Sequence, residues 1–440
     1  MPRECSFTKV WPSPGKNIFI PVVALFIVQV TLAQPESIQK RKASVQHRID
    51  TYLDKEKKLG GFYALTDSAF LLYASGEMKA KQRPERTLLW SELVMTRTDS
   101  IHKKGSVRPD PTGSYASAHP LSNIRIALDP GHIAGTLESG KIEQKYLQIH
   151  KDSLHGIPED IELVEGHLTL GTALVLRQKL EEAGATVMMT HSKPDETALG
   201  ISFEEWRKHY LNQALDSLVN CKSISPEQRV FYKTKADKRR IFKDIFRDIE
   251  LQKRADLINA FHPDITVIIH YNVDEKNTDW KRLTDKNFVM AFIGGSMLPS
   301  ELNKPEKRAD FMLLAVTNDL NESEVLAGSV VKSFSETLHV PIVEKSQATY
   351  LRDNCLATSH PGVYCRNLIL TRIIHTPLVY GETLYQDNRV ESINLMKEDG
   401  ETGSVRNSAR VRQVADAYLK GILDYFSKQS PGEDNGAEIK

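Results

Sequence analysis

The chain has 440 residues, of which 40% are hydrophobic and 26% charged, and its formal net charge is +1. That balance fits a folded protein with one large core or two modest ones, and excludes a fibrous or wholly disordered chain. The near-zero charge gives no electrostatic case for a nucleic-acid partner.

At the N-terminus Arg3, Lys9 and Lys16 precede an apolar run from Ile18 to Ala33, and Thr31-Leu32-Ala33 offers small or neutral residues before Gln34. This is the layout of a secretory signal peptide over residues 1–33, so the expected location is periplasmic or extracellular. The alternative is an uncleaved anchor, but Pro21 and Gln29 interrupt the run, which falls short of the ~20 residues a span needs. No membrane span is expected in the mature chain. Export permits cystine. Cys221, Cys355 and Cys365 would remain, and Cys355 and Cys365 are the expected partners by proximity.

Residues 34–102 form a region of unknown role. Lys40 to Lys58 reads as a helix, and Phe62–Leu65 and Phe70–Tyr73 read as a hairpin around Thr66-Asp67-Ser68. Residues 103–123, rich in Pro, Gly and Ser, read as a linker. From 124 to 428 strand and helix signals alternate. Ile124 to Asp129 is a short apolar run that reads as a buried strand, stopped by Pro130-Gly131. Leu163 to Ala183 has helical spacing and ends at Gly184. Thr186 to Thr190 is a second strand. A helical insertion over about 203–253 follows, and a long amphipathic helix is predicted from Lys235 to Phe261. Ile265–His270 and Phe288–Ile293 are further strands, Glu322–Leu338 a helix, Leu378–Tyr380 a late strand and Val411–Phe426 a last helix. Residues 429–440 read as a disordered tail. The alternation predicts an α/β fold: a mostly parallel twisted sheet covered by helices on both faces, with a small N-terminal extra region.

In such sheets catalytic groups collect past the carboxyl ends of strands. His132 leaves the first strand, Glu165 lies in the first turn of the next helix, and His270 ends a later strand. Two imidazoles and one carboxylate are a donor set for a catalytic zinc, with a fourth position left for water. Spacing alone does not single them out, because His150, His155, His167, His191, His262, His360 and His375 offer the same chemistry.

What decides among them is resemblance to a known family, carried by a series of motifs in order along the chain. Asp129-Pro130-Gly131-His132 comes first, then Glu165, Leu180, Gly184 and Val187-Met188-Met189-Thr190-His191. Arg254-Ala255-Asp256-Leu257-Ile258-Asn259 and Val267-Ile268-Ile269-His270-Tyr271-Asn272 follow, then Ser323-Glu324-Val325-Leu326-Ala327, Pro377 to Glu382, and Asn388 with Glu391. From Ile124 to about Leu395 this series resembles the zinc-dependent N-acetylmuramoyl-L-alanine amidases of the Amidase_3 type. The resemblance implies that His132, Glu165 and His270 bind one Zn2+ per chain and that Glu382 is the catalytic carboxylate. It implies peptidoglycan or muropeptides as substrate, the amide between N-acetylmuramic acid and L-alanine as the bond cut, and an activator protein as a further partner. The alternatives are a zinc peptidase on another peptide bond and a non-catalytic peptidoglycan-binding protein that kept the fold.

The chain departs from the family's pattern in three places. The glycine expected directly after the ligand histidine is delayed to Gly135. The stretch from 135 to 164 is long and charged, including Glu138, Lys141, Glu143 and Lys145, and is expected to be a lid or specificity loop. The insertion at 203–253 adds helices, and some relatives use an extra helix to cover the zinc; Glu250 is the residue here that would cap it. Trp206 and Trp280 are expected in the core, Arg254 as a helix anchor, and Asn272 and Asn388 as loop-fixing residues. The basic cluster from Lys233 to Arg240 is expected to be a solvated helix face.

Overall fold

The buried apolar runs of the sequence assemble into one seven-stranded sheet. The computed structural model describes residues 35–93, 119–152 and 157–428. The expected signal peptide, most of the expected linker and the C-terminal tail lie outside the described residues. The strands are β1 (Arg125–Pro130), β2 (Thr186–Met189), β3 (Ile265–Asn272), β4 (Met290–Ile293), β5 (Leu356–Ala357), β6 (Val363–Cys365) and β7 (Leu378–Tyr385). They lie in the order β5-β6-β4-β7-β3-β1-β2. β2, β1, β3 and β7 run parallel to one another, as do β6 and β4, while β4 is antiparallel to β7 and β5 to β6. The sheet is therefore mostly parallel, as expected.

Four helices cover most of it: α1 (Glu165–Glu182), α2 (Arg247–Phe261), α3 (Asp319–Leu338) and α4 (Ala409–Lys428). Side chains alternate along a strand. Ile126 and Leu128 of β1 thus join Val267, Ile269 and Val379 against α1, α3 and α4, where Leu176, Val330 and Tyr418 are buried. Ala127 points the other way, with Ile268 and Leu378, onto Ala255 and Ile258 of α2. Every residue of β3 except Asn272 is buried, which is why this strand shows no polar alternation in the sequence.

The single helix predicted over Lys235–Phe261 is interrupted. Lys238–Ile241 is α-helical, Phe242–Phe246 forms a π turn, and α2 continues from Arg247. The three helices before it (Phe203–His209, Leu211–Asn220 and Pro226–Thr234) complete the insertion, and Ser202 and Ser225 start the first and third with reciprocal capping boxes. The insertion has its own core of Phe203, Trp206, Leu215, Tyr232, Phe242 and Phe246, and Ile133, the residue after His132, is buried in it. Trp206 is a core residue, as expected.

The N-terminal region is not separate from this body. Its helix (Pro35–Arg48) runs into a second π turn (Ile49–Leu53) rather than continuing to Lys58. The expected hairpin forms, with Leu65 opposite Phe70, and Arg86–Leu89 adds a third antiparallel strand. Ile49, Leu53, Phe70 and Trp90 share the main core with Phe311 and Ala315. Polar contacts close the seam: Arg48 Nε donates to Ala315 O at 2.8 Å, Tyr52 Oη to Glu324 Oε2 at 2.5 Å, and Arg308 Nε to Glu85 Oε2 at 2.6 Å.

The expected Cys355–Cys365 bridge is absent; both thiols are free and buried. Leu356 pairs with Cys365 across β5 and β6, so Cys355, one residue earlier, faces the opposite side of the sheet. It packs with Met290, Phe292 and Tyr364, whereas Cys365 lies in the main core. No helix among the described residues is long and apolar enough to cross a membrane.

Candidate metal centre

His132 is delivered by the turn that ends β1. Gly131 N continues the ladder past Pro130 by donating to Ile269 O at 2.8 Å. Any side chain at Gly131 would strike the ring of His270, so glycine is required for the close approach. His132 itself is left-handed, with φ at 66°, a conformation that a non-glycine residue holds only where its surroundings impose it. Arg254 imposes it. From α2 its Nη1 donates to Pro130 O at 2.5 Å and to Asp129 Oδ1 at 3.1 Å, and its Nη2 to His132 O at 3.0 Å. Its Nε donates to both oxygens of Glu250 at 2.7 Å. Arg254 is thus an anchor, as expected, but of the turn that carries His132. Glu250 is consumed by it and does not reach the candidate ligands.

Glu165 opens α1, where the helix dipole favours an acid. His270 stands two residues from the end of β3. One ligand atom from each of His132, Glu165 and His270 lies within 4.8 Å of the others. Glu165 Oε1 is 3.0 Å from His270 Nδ1 and 3.4 Å from His132 Nε2. Metal–ligand bonds of ~2.0–2.1 Å in a tetrahedron put neighbouring ligand atoms about 3.3–3.4 Å apart, close to these spacings. His132 Nε2 is buried without a hydrogen-bond partner among the described residues, a loss a bound cation would repair. The donor set therefore fits a single metal ion.

The three groups perturb one another strongly. Burial alone would lower His132, but the carboxylates of Glu165 and Glu143 outweigh it and hold the ring up at about 9. Burial would raise Glu165, yet Lys145 and His132 hold it well below the usual carboxylate range. Burial, with the charge of His132, lowers His270 to about 4 despite its bond to Glu165.

Glu382 pairs with His270 in the register of β7 and β3, so the two side chains leave the sheet on one face. Tyr380, two residues earlier, stacks on the His270 ring with centroids 4.4 Å apart and planes 5° from parallel. Burial, then the neighbouring Glu165 charge, raises the Glu382 carboxyl to about 7, with Lys145, Arg366 and His132 opposing.

A cleft of about 620 Å³ opens over this floor, on which His132, His270 and Tyr380 are exposed to it. Lys145 and Trp280 form one wall; Phe242, Lys243, Arg247 and Leu251 of the insertion form another. The long stretch after Gly135 is a helix (Leu137–Glu143) and a hairpin (Tyr146–Ile149 with Ile161–Val164) beside the site. Trp280 is not a core residue, contrary to expectation. It is half-buried, stacks on Tyr146 with ring centroids 6.1 Å apart, lines the cleft, and has a left-handed backbone at φ 61°. Asn388 fixes a loop as expected, accepting from Val390 N at 3.0 Å and Glu391 N at 3.2 Å to cap a short helix. Asn272 does so as well, accepting from Val273 N at 2.8 Å.

A family model for N-acetylmuramoyl-L-alanine amidase matches residues 126–423, more than half of the chain. The chain belongs to the N-acetylmuramoyl-L-alanine amidase family. Solved amidase structures are similar at low identity. The CwlD amidase of Clostridioides difficile, solved with the GerS lipoprotein, is 15% identical over 70% of this chain and 100% of its own, with a TM-score of 0.38. Ami1 of Mycobacterium smegmatis is 16% identical over 70% and 99%, with a TM-score of 0.37. The catalytic domain of CwlV from Bacillus (Paenibacillus) polymyxa var. colistinus is 14% identical over 69% and 97%, with a TM-score of 0.35. No curated protein matches the chain. The amidase segment runs from β1 into α4, and residues 35–93 lie outside it while sharing its core. Two residues of this amidase's site, Glu143 and Lys145, stand in the sequence only as charges of the long loop; nothing in their spacing marks them as neighbours of His132 and Glu165. Tyr380 is likewise unmarked except by its place two residues before Glu382.

Proposed function

We propose that this amidase is exported and zinc-dependent, and that it hydrolyses the amide between the lactyl group of N-acetylmuramic acid and L-alanine in peptidoglycan. The observation that carries the proposal is the convergence of His132, Glu165 and His270 within 4.8 Å, with His132 and His270 lining the cleft and Glu382 paired with His270 on the adjoining strand. His132, Glu165 and His270 would hold the zinc, which when bound would supply a Lewis acid for the carbonyl and a water of pKa ~7. Glu382 takes the water's proton and returns one to the leaving amine. Tyr380 holds the His270 ring by stacking, and Arg254 holds the backbone of His132. The cleft, about 620 Å³, is in the range of ~300–1,000 Å³ usual for small-molecule sites and suits a muramoyl group with the first residues of a stem peptide. Export rests on the sequence of residues 1–33.

Mass analysis of digested sacculi tests the proposal. The expected products are stem peptides with a free N-terminal alanine and glycan strands left intact, from protein carrying one zinc per chain. Zinc-loaded protein that leaves the muramoyl–alanine bond intact while cutting another peptide bond would make it a peptidase. N-terminal sequencing of the secreted protein is expected to begin at Gln34.

A further inference from the structure

We infer that the turn Glu143-Gln144-Lys145 is the positioning element of the metal centre, gripping His132 with an anion and Glu165 with a cation. The inference rests on the zinc proposal above. Glu143 Oε1 is 3.0 Å from His132 Nδ1, and its Oε2 accepts from Ile133 N at 3.2 Å and Ala134 N at 3.1 Å. One carboxylate therefore fixes both the ring and the backbone that follows it, and only Nε2 is left to face the metal. A carboxylate on the far nitrogen of a ligating histidine sets its tautomer and raises its basicity.

Lys145 acts on the other ligand. Its Nζ stands 3.4 Å from Glu165 Oε2, while Oε1 is the oxygen turned toward His270 and His132. The ammonium is thus ion-paired with Oε2, which accepts no hydrogen bond among the described residues, while Oε1 is the oxygen nearer the two histidines. With the lysine paired to Oε2, Glu165 would offer the metal one oxygen rather than two. The lysine is itself fixed, with Nζ 5.5 Å from the centroid of Trp280 and its carbonyl accepting from Glu165 N at 3.1 Å. Both arms come from one turn because Gln144, which ends the preceding helix, is left-handed (φ 59°, ψ 46°). A right-handed residue there would continue the helix and carry Lys145 away from the face that Glu143 occupies.

The test uses the full chain loaded with zinc or with cobalt(II). Glu143→Gln is expected to weaken zinc binding 10- to 100-fold. Lys145→Met is expected to bind zinc at least as tightly as the unmodified chain. Its cobalt(II) visible spectrum is expected to move from four- to five-coordinate as Glu165 becomes bidentate, and its kcat to fall. Lys145→Arg is expected to keep the four-coordinate spectrum. Equal loss of metal in Glu143→Gln and Lys145→Met would mean that the turn only props the fold, and would overturn the inference. So would an unchanged spectrum in Lys145→Met, or unchanged affinity in Glu143→Gln. Failure of the unmodified chain to bind either metal would instead remove the zinc proposal, and this inference with it.

Discussion

The floor of the cleft and its walls are built on different principles. The floor is strand ends, and register sets it: His270 stands opposite Glu382, and β1 beside β3 brings His132 within reach. These positions depend on partners far apart in sequence and on a sheet buried on both faces. The walls are local. The insertion has a core of its own, and the helix and hairpin after Gly135 are contiguous in the chain. Floor and walls meet at few residues, chiefly Ile133, Glu143, Lys145 and Arg254. Chemistry is thus fixed by the part hardest to change, while the approach to it is formed by parts that can vary without disturbing the sheet.

The sharpest way to isolate the floor is Glu382→Gln. Stem-peptide release is expected to fall by ~10²–10⁴-fold, the usual worth of a general acid–base group, with zinc content and melting temperature unchanged. Arg254→Met attacks the joint. It strands Glu250 and Asp129 as buried charges, and denaturant titration is expected to show a loss of about 3–5 kcal/mol together with reduced metal affinity. Trp206→Ala attacks a wall alone. Its cost, about 3–5 kcal/mol for a buried tryptophan, is expected to appear as faster amide exchange across 203–246 while β1 and β3 keep their protection. Equal loss of protection in the sheet would break the distinction between floor and walls. The smallest effect lies in neither. Burial would raise Glu324, but His360, Ser359 and Tyr52 hydrogen-bond its carboxylate and bring it from 4.5 to about 2. Its contribution is complete above pH 4.5 and is lost as pH falls toward 2. Glu324→Gln is expected to flatten that acid limb, by no more than about 3 kcal/mol, without altering kcat.

Much of the floor is legible in the sequence because its signals are backbone signals. A buried run broken by Pro130-Gly131 reports a strand end whatever lies around it. The walls are less legible. Leucine, isoleucine and phenylalanine between Lys238 and Phe261 satisfy a helical period, and nothing in them says that five residues will adopt a π turn. β5 and β6 are two and three residues long, too short for alternation to register. Cys355 and Cys365 are near in sequence yet face opposite sides of the sheet, a fact of register rather than of spacing. Glu143 and Lys145 are visible as charges, but their common direction depends on the backbone angle of Gln144, for which glutamine gives no warning.

The seam between the N-terminal region and the sheet bears on how the chain is made. Arg48 and Tyr52 find their partners 267 and 272 residues further on. Synthesis proceeds from the N-terminus, so Phe70 and Trp90 exist long before Phe311 and Ala315 do. For that interval the first segment carries an apolar surface with nothing to bury it against. Contacts of such range close slowly, and transiently exposed apolar segments are where aggregation starts. Residues 35–93 are therefore made well before their partners and are among the last to be seated.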